Sequence, residues 1–168
     1  MCSTFKCILV GDGEVGKTTL IKRLLSDVDV EKYYPTLGVN VHPITFNTTR
    51  GPIRFNVWDV AGQPCYRGLG DGYYIQAQCA IVMFDLNNQE SIDQAKEHAA
   101  HITHLLGNIP IIKVGNKYDL LTSESVSYKR RKVCDCEMSI KHDQQIDTPF
   151  LHLTRSLLRD PNLLFINP

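Results

Sequence analysis

The sequence predicts an α/β fold, a six-stranded and mostly parallel sheet with one antiparallel hairpin and helices on both faces. Three observations predict it. Six short apolar or β-branched segments alternate with helix-like stretches along most of the chain. One connection, Thr48-Thr49-Arg50-Gly51-Pro52, is a turn cluster too short for a crossover, so the strands it joins must run antiparallel. The first apolar segment runs straight into a glycine-rich octapeptide that opens a helix.

In chain order, Thr4 to Val10 is the first strand and Lys17 to Leu25 the first helix. Gly38 to Phe46 and Ile53 to Trp58 are the arms of the hairpin, followed by a weak helical stretch near Asp71 to Gln78. Cys79 to Asp85 is the fourth strand, Ser91 to Leu106 a helix and Pro110 to Gly115 the fifth strand. Only about a dozen residues, Leu120 to Arg131, remain for the last crossover, so that region should be compact and short of helix. Lys132 to Met138 is the sixth strand and Pro149 to Leu158 the last helix. There is no internal repeat, no low-complexity tract and no second domain; residues 1–168 read as one domain.

At 168 residues and 43% apolar content, the chain can bury about 70% of its unfolded surface, so stability requires neither metal nor disulfide. Acidic and basic residues are equal in number, 18 each, which gives no global pull toward nucleic acid or membrane. An electrostatic partner must use a local patch. Cys2, Cys7, Cys65, Cys79, Cys134 and Cys136 form no CxxC pair and read as reduced thiols, with Cys7 and Cys79 serving as small hydrophobes in strands. Cys134, Asp135, Cys136 and His142 lack tetrahedral ligand spacing, because alternate strand residues share one face. No signal peptide, membrane-length apolar run or C-terminal prenylation box is present, so no bilayer anchor is expected.

The octapeptide Gly11 to Thr18, GDGEVGKT, has the spacing of a phosphate cradle. Gly11, Gly13 and Gly16 let the backbone turn its N–H groups toward an anion, and the following helix adds its positive dipole end. The loop residues Asp12, Glu14 and Val15 and the adjoining Thr19 complete this binding segment, with Lys17 reaching the β- and γ-phosphates and Thr18 holding Mg²⁺. In open sheets ligands sit beyond the carboxyl ends of the strands. After the third strand, Trp58 to Gln63 reads WDVAGQ: Asp59 is placed to hold Mg²⁺ through water, the Gly62 N–H to meet a γ-phosphate and Gln63 to orient an attacking water. After the fifth strand comes Asn116 to Asp119, NKYD. A carboxylate accepting two hydrogen bonds complements guanine N1–H and its 2-amino group, whereas adenine has no such donor pair. Asp119 therefore selects guanine, Asn116 buttresses the loop and Lys117 lies along the base.

With these three motifs in order, the chain resembles the Ras superfamily of small GTPases along essentially its whole length, and within it the Ran family of nuclear transport. The narrower likeness is carried by Thr36 to Gln63, Asp71 to Leu86, Asn108 to Ile112 and Asp160 to Phe165. The resemblance implies a P-loop G domain that binds GTP and GDP with Mg²⁺ and hydrolyses GTP slowly without an activating protein. It implies a switch I at about residues 29–38, a switch II at about 59–74 and guanine loops at 116–119 and 139–141. Thr36 matches the switch I threonine that coordinates Mg²⁺ and senses the γ-phosphate. Ser139, Ile140 and Lys141 match the family's SAK loop, in which a backbone N–H meets guanine O6; Ile140 keeps that donor and adds bulk. Tyr33 matches a switch I tyrosine that helps position the glutamine when the activator binds. Implied partners are importin- and exportin-type receptors, a GTPase-activating protein and a guanine exchange factor, acting on a monomer in nucleus and cytoplasm with neither membrane nor direct nucleic acid contact.

The departures from the family pattern are specific. Asp29, between Val28 and Val30, stands where the family has a phenylalanine against guanine, and its expected consequence is faster nucleotide release. Glu14 replaces a glycine in the cradle, harmless if it faces solvent and repulsive if it faces phosphate. Pro64, Cys65 and Gly70 replace charged residues of switch II, which puts the exchange factor and the small import carrier in question, although Tyr66 keeps an aromatic for that carrier. The sequence ends at Pro168, where the family continues into a linker, a helix and an acidic tail, and it has five residues fewer just before the basic run Tyr128 to Lys132. That run is either a solvated face or a dock for acidic receptor surfaces. Alternatives to a cycling transport GTPase are a nucleotide-dependent binding module that hydrolyses poorly and a vesicle-traffic GTPase.

Overall fold

The computed structural model describes residues 2–25, 38–62, 70–121 and 133–166. Its sheet has six strands: β1 (Ser3–Gly11), β2 (Val39–Thr48), β3 (Gly51–Val60), β4 (Cys79–Asp85), β5 (Ile111–Asn116) and β6 (Cys136–Glu137). Their spatial order is β2-β3-β1-β4-β5-β6, and β2 with β3 is the antiparallel pair among parallel neighbours. Three α-helices are described: α1 (Lys17–Leu24), α2 (Gln89–Leu106) and α3 (Thr148–Leu158).

Strand β1 shows why both faces are covered. Cys7 and Leu9 enter the core that holds Leu20 and Ile21 of α1 and Phe150 and Leu153 of α3. Their neighbours Ile8 and Val10 enter a second core, with Ile92, Ala95 and Ile102 of α2. Successive strand residues point to opposite faces, so one continuous apolar run feeds both cores. Burial pushes the Cys7 thiol well above its ordinary range, and it pushes Cys134 up to about 11 and Cys136 up to about 12. All three are held as thiols.

The hairpin is tighter than the turn cluster suggests. Thr48 pairs with Gly51, leaving Thr49 and Arg50 as the loop, and Thr48 Oγ1 donates to the Gly51 carbonyl at 2.7 Å. The chain's far end staples this tip. The Ile166 N–H donates to the Asn47 carbonyl at 2.8 Å, Arg50 pairs with Asp160 at 2.6 Å, and Phe165 stacks on Phe46 with centroids 4.5 Å apart.

Three elements differ from the sequence reading. The expected helix at Asp71 to Gln78 is a 3₁₀ turn over Gly70–Tyr74, because Gln78 is drawn to β1: its N–H donates to the Lys6 carbonyl and its Oε1 accepts the Lys6 N–H, both at 3.0 Å. The sixth strand is two residues long rather than seven. Asp135 Oδ2 accepts the Lys113 N–H at 2.7 Å, so a side chain occupies the β5 donor that a longer ladder would use. Helix α2 begins two residues before the expected Ser91, since Asn88 caps it by accepting the Ser91 N–H at 3.2 Å. The crossover residues 122–132 lie outside the described residues.

Candidate nucleotide site

The cleft opens at the carboxyl ends of β1, β3 and β5 and encloses ≈ 770 Å³. Among its lining residues are Gly13, Glu14, Lys17, Thr18, Thr19 and Gly62, and on the opposite side Asn116, Lys117, Asp119, Ile140 and Lys141. The three motifs, separated by up to a hundred residues of sequence, therefore face one space.

The loop is held by its own lysine. Lys17, 7% exposed, donates from Nζ to the carbonyls of Gly11 at 2.9 Å and Asp12 at 2.7 Å. Gly16 precedes α1 with φ 102° and, being glycine, offers that helix no side-chain cap. That geometry suits an anion. A β-carbon on Gly16 would stand 2.6 Å from Asn116 Nδ2, so only glycine admits the close approach of the two loops. Gly62 is equally constrained: its β-carbon would lie 2.6 Å from the Asp12 carbonyl and from Lys17 Nζ.

Glu14 is exposed at the mouth of this cleft with φ 61°, a left-handed conformation. That region costs a side chain about 1–2 kcal/mol, against about 0.5–1 kcal/mol of extra chain entropy lost by glycine. Glu14→Gly should therefore raise stability by about 0.5–1 kcal/mol in urea unfolding. A variant no more stable than the parent would refute the strain at Glu14.

Thr18 Oγ1 donates to Asp59 Oδ2 at 2.5 Å, and Asp59 is fully buried at the end of β3. A hydroxyl and a carboxyl group this close, beside a phosphate-type loop, are hard oxygen donors that fit Mg²⁺.

On the base side Asn116, 3% exposed, joins three segments. Its Nδ2 donates to the Val15 carbonyl at 2.9 Å, and its Oδ1 accepts the Ile140 N–H at 3.4 Å. Asp119 Oδ1 accepts from Ser139 Oγ at 2.6 Å, and His142 Nε2 stands 3.9 Å from the other oxygen. Ile140, 5% exposed, packs into the core beneath the loop and also lines the floor of the cleft beside Gly16.

Sequence reasoning missed two supports. Lys117, at φ 64°, pairs with Asp85 Oδ2 at 2.8 Å, while Asn87 donates to Asp85 Oδ1 from its N–H at 2.8 Å and to the Lys117 carbonyl from Nδ2 at 3.1 Å. Burial raises the Asp85 pKa, but the hydrogen bonds from Lys117 and Asn87 outweigh it and the net value is lowered. A lowered carboxylate contributes stability that is complete above its unfolded range, near ~4, and is lost as pH falls through the lower folded value. Asp85→Asn should flatten that acid limb of the stability curve; an unchanged limb would count against the pairing. Its position at the end of β4 was the available signal. The second support, Arg23 with Asp143 at 2.9 Å, ties α1 to the base loop and has no signature in the sequence.

Tyr33, Thr36 and Gln63, together with Asp29, Pro64 to Tyr66 and Lys129 to Lys132, lie outside the described residues. No helix among the described residues is long and apolar enough to cross a membrane.

The family model for the Ras family matches residues 6–159, from β1 to the end of α3 and well over half of the chain. The chain belongs to the Ras family. It is thus a small GTPase, a GTP-binding switch that hydrolyses GTP, with the six-stranded sheet and single antiparallel pair of that fold. Ras-family GTPases generally work with activating proteins and exchange factors, and bind GTP or GDP typically with Mg²⁺. In this Ras-family chain the loop before α1 and the loop after β5 meet at Gly16 and Asn116.

Proposed function

We propose that this small GTPase is a Ran-like switch that controls cargo loading and release in nucleocytoplasmic transport, moving between nucleus and cytoplasm. The observation that carries the reading is the pair of long spans Thr36 to Gln63 and Asp71 to Leu86, which resemble the Ran family nearly residue for residue. Importin- and exportin-type receptors would read the GTP form, and the activating protein and exchange factor would set its lifetime.

In this reading the phosphates lie in the loop from Gly11 to Thr18, with Lys17 turned from the Gly11 and Asp12 carbonyls toward the β- and γ-oxygens. Thr18, Thr36 and, through water, Asp59 would hold Mg²⁺, which when bound neutralises charge on the β- and γ-phosphate oxygens. Gln63 orients the attacking water and Tyr33 helps place Gln63, so turnover is slow until an activator orders that pair. Asp119 accepts from guanine N1–H and the 2-amino group, Lys117 lies along the base, and the loop Ser139 to Lys141 presents a backbone donor to O6. The switch itself arises because Thr36 and Gly62 contact a γ-phosphate that GDP lacks.

Single-turnover GTP hydrolysis, with and without a Ran-type activator, tests the proposal. A slow basal rate raised by about 10³-fold or more is expected, the range that activators supply in this chemistry. Tight GTP binding with no stimulated hydrolysis would favour the second reading, a nucleotide-dependent binding module, for which Glu14 in the cleft mouth is the motivating observation.

A further inference from the structure

Helix α2 carries histidines at 98, 101 and 104, none of which the nucleotide reading uses. Of these, His101 faces the 3₁₀ turn Gly70–Tyr74 across a cavity of ≈ 400 Å³. Its Nε2 stands 2.8 Å from Asp71 Oδ1, and its ring meets Tyr74 edge-on, with centroids 5.6 Å apart at 88°. Tyr74 is 8% exposed, so the imidazole bridges an exposed carboxylate and a buried ring.

The turn so held reaches the nucleotide cleft through described residues. The Tyr73 hydroxyl lies 3.5 Å from where a β-carbon on Gly38 would stand, and the Gly38 carbonyl accepts the Ala61 N–H at 2.8 Å. The next residue, Gly62, packs against Asp12 and Lys17. Tyr73, Gly38 and Gly62 thus link α2 to the γ-phosphate side of the cleft.

We propose that His101 is a positioning residue of the switch: pairing with Asp71 holds the turn Gly70–Tyr74 on α2 and keeps Gly62 against the phosphate loop, so proton binding favours the GTP-bound arrangement. This rests on the nucleotide reading above. Histidine changes charge near neutrality, and the imidazolium pairs with Asp71 more strongly than the neutral ring, which keeps only a hydrogen bond. The other titratable groups around the ring are Tyr73 and Tyr74 of the turn, Glu97 and His98 one turn back and His104 one turn on; β3 contributes only the apolar Val60 to that cavity.

The test uses the whole chain with Mg²⁺ and compares affinities for GDP and a non-hydrolysable GTP analogue at about pH 6 and pH 8, on either side of histidine's ordinary titration. Because the terminal phosphate titrates in the same range, the measured quantity is the difference between wild type and His101→Gln, which keeps a donor without titrating. Lowering the pH should raise the analogue-to-GDP affinity ratio about 2–5-fold more in wild type than in His101→Gln, the scale of one exposed pair. Asp71→Asn should remove the same excess. Identical pH dependence in all three proteins overturns the proposal. If wild type binds neither nucleotide, the nucleotide reading fails by itself and the clasp is judged by urea unfolding of both single variants and the double. A coupling of about 2–5-fold at the lower pH that shrinks at the higher one supports the pairing. Coupling that is absent or equal at both pH values overturns it.

Discussion

Asn116→Ala is expected to weaken GTP binding by at least ~100-fold and to cost about 2–6 kcal/mol of stability in urea, from two buried backbone groups losing partners at about 1–3 kcal/mol each. The amide is the only side chain described here that bonds both the phosphate loop, at Val15, and the base loop, at Ile140. Its removal leaves the Val15 carbonyl and the Ile140 N–H, both on buried residues, without their side-chain partner. Affinity should fall further than stability alone requires, because the two halves of the cleft lose their common register. Equilibrium titration with a fluorescent GDP, beside unfolding of the same sample, separates the two effects. Wild-type affinity in a destabilised variant would show that the loops hold their spacing without Asn116.

The second large effect belongs to Asp119. Its carboxylate is fixed by Ser139 Oγ, a contact that leaves acceptor capacity for a base in the cleft. If Asp119 reads guanine as proposed, each charge-assisted hydrogen bond would be worth about 1.5–3 kcal/mol, so Asp119→Asn should lower guanine nucleotide affinity by about 10²-fold or more. The loss is specific in direction: the new amide N–H opposes the guanine 2-amino group but suits a carbonyl at that ring position. Xanthine nucleotides should gain while GTP loses, and ATP should remain weak throughout. Competition of the three against a bound fluorescent nucleotide reads this directly, and an equal loss for all of them would mean that Asp119 shapes the loop without reading the base.

What could be read without coordinates was what depends on local pattern. The alternation of apolar strands with helices, the short hairpin connection and the glycine loop each constrain the backbone within a few residues, and all appear where the pattern put them. The three site motifs were legible for the same reason, since each lies at the carboxyl end of a strand. Side-chain substitutions for backbone pairing were not legible. Asp135 takes the β5 donor and trims β6 to two residues, and Gln78 pairs with Lys6 of β1 and unwinds the expected helix; both choices depend on which strand lies alongside. Lys117 with Asp85 and Arg23 with Asp143 escaped notice because their partners lie 32 and 120 positions away. Tyr33, Thr36 and Gln63, which carry the hydrolytic part of the reading, belong to the segments outside the described residues.

The staple at the hairpin tip bears on how the chain is made. The bond from the Leu164 N–H to Thr49 Oγ1 spans 115 residues, and Phe165 stacks on a ring of β2. During synthesis at about 5–20 residues per second, the hairpin leaves the ribosome several seconds before residues 160–166 can reach it. Throughout that interval Phe46 lacks its stacking partner and Arg50 its carboxylate. The first hairpin translated is therefore the last to be closed, and a nascent chain arrested before Asp160 should expose that aromatic corner to chaperones.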